Sequence, residues 1–115
     1  MKEIKTITGK ILKNELREMS KTLFGDLVKA VVDVSKRIMA VNGELHADEE
    51  RILLESGSRQ EDLWGINLYP EKEGDNWIDF DSMINIRPSQ GNRSRSVENR
   101  EIQNVIRDIV KERTE

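Results

Sequence analysis

Apolar residues recur at helical spacing in three segments of the chain. Leucines and a methionine at spacings of four, three and four predict a first helix over about residues 13–24, which Gly25 can end in a left-handed cap. The segment "ADEERILLESG" predicts a second helix over 47–57, with acids in its first turn. A stripe of isoleucines and valines in "SVENREIQNVIRDIVKER" predicts the longest helix over 96–113.

Between these helices, apolar and polar residues alternate as in half-buried strands. The segments 27–34 and 37–43 are separated by a short turn and predict a hairpin. The segment 61–70 predicts a third strand that Pro70 stops, and the alternation in 77–88 predicts a fourth strand. The segment "KEIKTIT" before the first helix is compatible with a short edge strand and is not counted among these four.

The resulting element order is α-β-β-α-β-β-α. Hairpins make antiparallel pairs, so the expected class is α+β, a two-layer sandwich in which three helices cover one face of a four-stranded antiparallel sheet. A length of 115 residues fits one domain, taken here as residues 1–115.

Composition narrows the classes of function. The net charge of −3 argues against non-specific nucleic-acid binding, and the chain has no cysteine for disulfides, thiolate metal sites or cysteine nucleophiles. No segment has the apolar length of a signal peptide or a membrane span, so a soluble cytoplasmic protein without a membrane partner is expected. No cofactor is expected either.

The loop "RPSQGNRSRS" is rich in hydrogen-bond donors and leads from the fourth predicted strand to the last helix. Gly91 permits a positive φ, and arginine forks with serine hydroxyls suit a carboxylate or phosphate near a helix N-terminus. The glycine and lysine spacings of a phosphate-binding Walker loop are missing. We therefore predict a binding module for a small anionic or polar ligand. Its predicted ligand-binding residues are Arg87, Ser89, Gln90, Asn92, Arg93 and Ser94, with His46, Gln60 and Asn67 as further candidates.

The same loop has a purely structural alternative. Its arginines could pair with carboxylates such as Asp79, Asp81 or Glu61, leaving no site for a ligand. A cap for the last helix is available in either case, from Ser96 or Asn99.

His46 is the only histidine and lies just before the second helix, with Glu44 and Asp48 two positions away on either side. Such a group can act as a general base or join a carboxylate metal site. One histidine without cysteine disfavours zinc, so no metal is expected. Capping or packing is the simpler interpretation, with Asp48 or a neighbour available as the N-cap of the helix.

Two further classes of function stay open. The outer sheet face would present Asn67, Tyr69, Asn85 and Arg87, which a partner or a second copy of the chain could cover to form a homodimer. A hydrolase would use His46 as the acid and base, with Arg87 or Arg93 stabilising an oxyanion.

Three motifs, "GELHADEE", "GSRQEDLWGINLYP" and "INIRPSQGNRS", resemble an uncharacterised family of small bacterial and archaeal proteins, a domain of unknown function. The resemblance runs from about Leu23 to the last helix, and the first dozen residues depart from it. It implies a shared fold and a shared site but no activity. The matching polar residues are His46, Asp48, Gln60, Glu61, Asp62, Asn67, Tyr69, Arg87, Ser89, Gln90, Asn92, Arg93 and Ser94.

Overall fold

The computed structural model describes residues 3–115, which fold into one antiparallel sheet and three α-helices. The strands are β1 (Lys5–Ile7), β2 (Val28–Asp33), β3 (Ile38–Val41), β4 (Leu63–Leu68) and β5 (Ile78–Asp79). The helices are α1 (Lys13–Leu23), α2 (His46–Glu55) and α3 (Arg100–Arg113). The predicted α+β class is confirmed, but the sheet has five strands rather than four because "KEIKTIT" contributes β1. Lys2, the first residue of that segment, lies outside the described residues.

The strand order is β1-β3-β2-β4-β5, and every neighbouring pair is antiparallel. The predicted hairpin of β2 and β3 is confirmed. The buried carboxylate of Asp33 closes its turn, since Oδ1 accepts hydrogen bonds from the N–H groups of Ser35 and Lys36, each at 2.9 Å. Oδ2 accepts a third from the Ser58 hydroxyl at 2.6 Å, which ties the turn to the end of α2.

The larger part of the core lies between one sheet face and the pair α1 and α3. Alternate residues of β2 and β4 point to this face, as the period of a strand requires. They are Val28, Ala30, Val32, Trp64, Ile66 and Leu68. Leu16 of α1 packs against them, as does the stripe of Ile106, Ile109 and Val110 in α3. All four are fully buried. The apolar stripes predicted for these two helices are therefore their buried faces.

Helix α2 lies on the opposite face of the sheet, where Leu53 packs with Val31, Ala40 and Leu63. The prediction that all helices share one face in a two-layer sandwich is wrong. The reason is visible in β2, where Val31 lies between Lys29 and Asp33 on the supposedly solvated face. An apolar residue at the centre of that face needs a covering helix.

The fourth predicted strand, 77–88, is wrong in extent because only Ile78–Asp79 pairs with β4. Beyond it the chain leaves the ladder and folds over the α2 face as far as Ile86. Gly65 of β4 permits this path, since a Cβ there would lie 2.5 Å from Ser82 Oγ. The side-chain amide of Asn85 then replaces the missing strand, accepting from the Gly65 N–H at 2.8 Å and donating to its carbonyl at 3.0 Å.

The predicted N-cap residue is confirmed at α3 but not at α2. Asn99 caps α3, its Oδ1 accepting from the N–H groups of Glu101 and Ile102 at 2.8 and 3.1 Å. Helix α2 begins after Leu45 without a side-chain cap, so the prediction that Asp48 or a neighbour caps it is wrong; Asp48 lies in its first turn. No helix within residues 3–115 is long and apolar enough to cross a membrane.

Candidate functional site

A cavity of about 360 Å³ opens on the α2 face of the sheet, between the start of α2 and the segment that follows β5. We call it the His46 cavity. Its volume is within the range of small-ligand sites. The polar side chains that matter most in its lining are Lys29, His46, Asn67, Tyr69, Asp79 and Arg95, and apolar side chains come from Leu27, Leu45, Met83 and Ile84. Small-ligand sites combine apolar walls with a few convergent polar groups.

His46 reaches the cavity as the first residue of α2. Its ring is 8% exposed, and Nε2 lies 2.7 Å from the carbonyl oxygen of Ile66. A carbonyl only accepts, so Nε2 carries a proton and donates it. Burial lowers the pKa of His46 below 6.5, although the bond to Ile66 partly opposes this, and the ring is neutral at pH 7. Nδ1 is then a free acceptor, since no side chain or backbone group in residues 3–115 bonds to it.

Lys29, Asn67 and Asp79 form a row across three strands. Lys29 is the register partner of Asn67 in β2 and β4, and Asn67 is the partner of Asp79 in β4 and β5. All three side chains therefore point to the α2 face. The Asn67 amide donates to Asp79 Oδ2 at 3.0 Å and to the Asp81 carbonyl at 2.9 Å, so its own oxygen remains available as an acceptor.

A second, more open cavity of about 780 Å³ adjoins the His46 cavity, and Tyr69, Asp79, Asp81 and Arg95 line both. The Arg95 guanidinium and the Asp81 carboxylate form an ion pair at 2.7 Å. Burial, followed by the charges of Asp79, Asp26 and Asp81, raises the pKa of the Tyr69 phenol above 10, so the phenol stays protonated and can donate.

The donor-rich loop holds an anion that belongs to the chain itself. Glu98 Oε2 accepts from the backbone N–H groups of Arg93 and Ser94, at 3.0 and 2.8 Å. Hydrogen bonds from the Ser94 side chain and backbone lower the pKa of Glu98 below 4.5, so the carboxylate is charged at neutral pH. Gly91 adopts the expected positive φ, at 78°. The backbone donors therefore face a carboxylate already.

Asn92 and Arg87 anchor this loop to the rest of the fold. The buried Asn92 amide donates to the carbonyls of Asn85, Ser94 and Ser96, at 2.7, 3.1 and 2.7 Å. The Arg87 guanidinium stacks 4.4 Å from the Trp64 ring centroid and donates to four backbone or side-chain oxygens. These oxygens belong to Ile84, Gln60, Leu63 and Gln90.

A family model described as a protein of unknown function, DUF5674, matches residues 5–113 of the chain. The chain belongs to the DUF5674 family. This agrees with the resemblance inferred from its three motifs and brings no assigned activity. No curated protein matches the chain, and no solved structure matches it.

In this DUF5674 chain, the predicted ligand-binding residues fall into separate groups. His46 and Asn67 meet in the His46 cavity. Arg87, Gln90 and the carbonyl of Gln60 form the cluster beside Trp64, and Asn92 and Ser94 bind within the loop. Ser89 and Arg93 are exposed, and no hydrogen bond or ion pair of their side chains exists within residues 3–115.

In this DUF5674 chain, Arg87 and Arg93 do not converge on His46 as the predicted hydrolase would need. Arg87 and Arg93 are absent from the lining of the His46 cavity, and the guanidinium that does line it belongs to Arg95. The pairing of Arg95 with Asp81 matches the structural alternative for one of the loop arginines. Among residues 3–115, no group of three histidine, aspartate or glutamate side chains is placed to hold a metal ion.

Lys29 and Asp79 line the cavity, but neither was predicted as a ligand-binding residue from the sequence. Each lies at a polar position of an alternating strand and looks like an ordinary solvated residue. The register that aligns them through Asn67 depends on strand order, which is not visible in the sequence. The one available signal was the shared outward face of Asn67 and Tyr69.

Proposed function

We propose that this protein is a small binding module that holds a polar ligand in the His46 cavity. The observation that carries the proposal is the state of His46. A largely buried, neutral ring with one nitrogen bonded to Ile66 leaves the other nitrogen as an acceptor without a partner in residues 3–115, at the wall of a ligand-sized cavity. Nδ1 is open to the cavity, so a ligand N–H or O–H can replace water as its donor.

The neighbouring groups define what such a ligand offers. His46 Nδ1, the Asn67 oxygen and the Asp79 carboxylate are three acceptors within one cavity, and they call for N–H or O–H donors on the ligand. Leu45 and Met83 at the rim are 56% and 64% exposed and can cover an apolar part of it. The predicted loop site for an anion is the less favoured location, because Glu98 already occupies its backbone donors.

An amide NMR titration with a panel of small polar molecules tests the proposal. The panel contains amino acids, amines, amides, nucleosides, phosphate and sulfate. We expect at least one compound to cause saturable shifts confined to residues around His46, Asn67 and Ser82. His46→Gln keeps a donor for Ile66 but removes the ring acceptor, so it is expected to weaken that binding by about tenfold, the equivalent of one hydrogen bond of ~1.4 kcal/mol.

Arg93→Ala is the matched variant for the loop and is expected to leave the binding unchanged. The reverse pattern, with shifts around Ser89 to Ser94 that Arg93→Ala abolishes and His46→Gln spares, would move the site to the loop. No saturable shift with any compound would contradict a binding module of either kind.

A homodimer is the second candidate, and the exposed Leu45 and Met83 favour it. Two large apolar side chains side by side at a cavity mouth are also a common feature of contact surfaces. Sedimentation equilibrium across the micromolar range tests this candidate. A concentration-dependent mass that Met83→Ser reduces to that of the 13.3 kDa monomer would support it, and a constant monomer mass would exclude it.

A further inference from the structure

Two charged side chains in the His46 cavity have no ion-pair partner within residues 3–115. They are Lys29 and Asp79. The other two charges, on Asp81 and Arg95, neutralise each other across 2.7 Å. The Lys29 ammonium lies 5.0 Å from the Phe24 ring centroid, and Asp79 receives only the hydrogen bond from the neutral Asn67 amide. The cavity therefore presents one unpaired cation and one unpaired anion.

The sheet fixes how far apart the backbone positions of Lys29 and Asp79 are. Neighbouring strands are about 4.8 Å apart, so the two strand spacings from Lys29 through Asn67 to Asp79 place their Cα atoms roughly 10 Å apart. The Asn67 side chain lies between them and binds Asp79, which keeps the lysine and the aspartate from pairing directly. The two residues therefore flank Asn67 in the sheet.

We infer that the ligand of the His46 cavity is a small zwitterion, whose carboxylate pairs with Lys29 and whose ammonium pairs with Asp79. This inference rests on the proposed function. A single-charge ligand pairs with one of the two groups and leaves the other charge without a partner beside the bound ligand, which is less favourable than pairing both. A zwitterion neutralises both groups, and its remaining N–H donors reach the acceptors on His46 and Asn67.

The length of the zwitterion depends on where the flexible Lys29 side chain places its ammonium. Linear amino acids with different numbers of methylene groups between their charges therefore test which separation fits. The short chain would pass over Asn67 and contact the apolar rim at Leu45 and Met83.

An NMR titration with charge-matched probes tests the inference. The probes are 4-aminobutyrate, 5-aminopentanoate and 6-aminohexanoate, together with butylamine, butyrate and butyramide. We expect the best amino acid to bind about tenfold or more tightly than butylamine or butyrate, since each charge-assisted hydrogen bond contributes that much or more. The shifts should include the amides of Lys29, Asn67 and Asp79.

Two variants test separately the contact of Lys29 with the carboxylate of the ligand and the contact of Asp79 with its ammonium. Lys29→Gln should weaken the amino acid about tenfold and leave butylamine unaffected, whereas Asp79→Asn should weaken the amino acid and butylamine but not butyrate. Asn at position 79 keeps an acceptor for the Asn67 amide, so the row is preserved. Lys21→Gln and Asp108→Asn remove exposed charges elsewhere and should change nothing.

The outcomes separate this inference from the proposed function. Butyramide binding as tightly as the amino acids, with shifts at the same residues, would overturn the zwitterion and support the cavity as a site. Equal loss of amino-acid binding in Lys29→Gln and Lys21→Gln would overturn the role of Lys29. If none of the six probes shifts the cavity residues while another polar compound does, the zwitterion is wrong and the binding module stands.

Discussion

At the scale of single residues, two titratable side chains near the start of α2 are buried, and each has one polar atom bonded and one without a partner in residues 3–115. His46 has one committed nitrogen, whereas Glu49 is 0% exposed and has one carboxyl oxygen with no partner. The other oxygen accepts from the Gly43 N–H at 2.8 Å. Burial raises the pKa of Glu49 well above 4.5, a shift that the Gly43 bond and Lys29 reduce and Asp48 increases.

The raised pKa makes Glu49 a source of pH-dependent stability. The folded chain binds the proton more tightly than the unfolded chain, so the stability that the neutral acid contributes is present below pH 4.5 and is lost as pH rises through the folded pKa. Glu49→Gln stays neutral at every pH. We expect the free energy of unfolding of the variant, relative to the parent, to increase with pH above 4.5 and to be constant below it.

Urea unfolding at a series of pH values between 4 and 8 measures this difference. Glu44→Gln, an exposed position on the preceding loop, is the matched control and should show no such trend. A pH-independent difference between Glu49→Gln and the parent would contradict the assignment of a raised pKa to Glu49.

At the scale of elements, the path of residues 80–86 decides whether there is a cavity at all. Gly65 leaves room for Ser82, and the Asn85 amide takes the hydrogen bonds of the missing strand. Asn85 also donates to the carbonyls of Phe80 and Arg95, at 3.2 and 3.0 Å. One buried amide thus holds the segment, the loop and β4 together.

Gly65→Ala is expected to destabilise the fold by about 1–3 kcal/mol, because its Cβ would meet Ser82 Oγ and Cβ at 2.5 and 2.6 Å. The change should also weaken ligand binding in the His46 cavity. Combining it with Ser82→Gly removes the colliding side chain, and we expect the double variant to be more stable than the sum of the two single effects predicts.

Equilibrium urea unfolding of the four proteins in this cycle provides the measurement. Gly9→Ala is the control, since nothing lies within 4 Å of a Cβ at that position. Strict additivity of Gly65→Ala and Ser82→Gly would show that the two residues do not compete for space.

Local pattern in the sequence predicted the elements better than their assembly. The stripes of α1 and α3 and the hairpin of β2 and β3 follow from neighbouring residues, and they were predictable. The segment 77–88 alternates like a strand, yet a glycine about 17 residues earlier and the side chain of Asn85 remove most of it from the ladder. Contacts of that range carry no periodic signal.

The candidate site was predictable in part for the same reason. His46 and Asn67 stood out as polar residues in recognisable positions, and both line the cavity. Lys29 and Asp79 join them only through the strand order β2-β4-β5. In the loop, the Glu98 carboxylate takes the backbone donors that an external anion would need. Glu98 lies within the segment predicted as the last helix, so the sequence did not indicate this contact.

At the scale of the whole molecule, the chain closes on itself through Arg113 at the end of α3. Its guanidinium donates to the carbonyls of Arg37, Thr8 and Gly9, at 2.8, 2.8 and 3.3 Å. The following backbone pairs in parallel with Ile11, whose N–H donates to the Arg113 carbonyl at 2.8 Å. One side chain therefore connects α3 to the β2–β3 turn and to the segment before α1.

We expect Arg113→Ala to lower the free energy of unfolding by about 2 kcal/mol, because it leaves three carbonyl groups without their charged donor. Arg51→Ala, which removes an exposed arginine of α2 with no hydrogen bond or ion pair inside residues 3–115, should cost less than about 0.5 kcal/mol. Urea unfolding measures both values.

Since the contacts of Arg113 join the two ends of the described chain, Arg113→Ala should also speed hydrogen exchange in β1 and in the last turn of α3, but not in β4. Equal costs for the two arginines would mean that the closure at Arg113 contributes nothing to the fold, and the pairing of Ile11 with Thr114 would have to hold the ends alone.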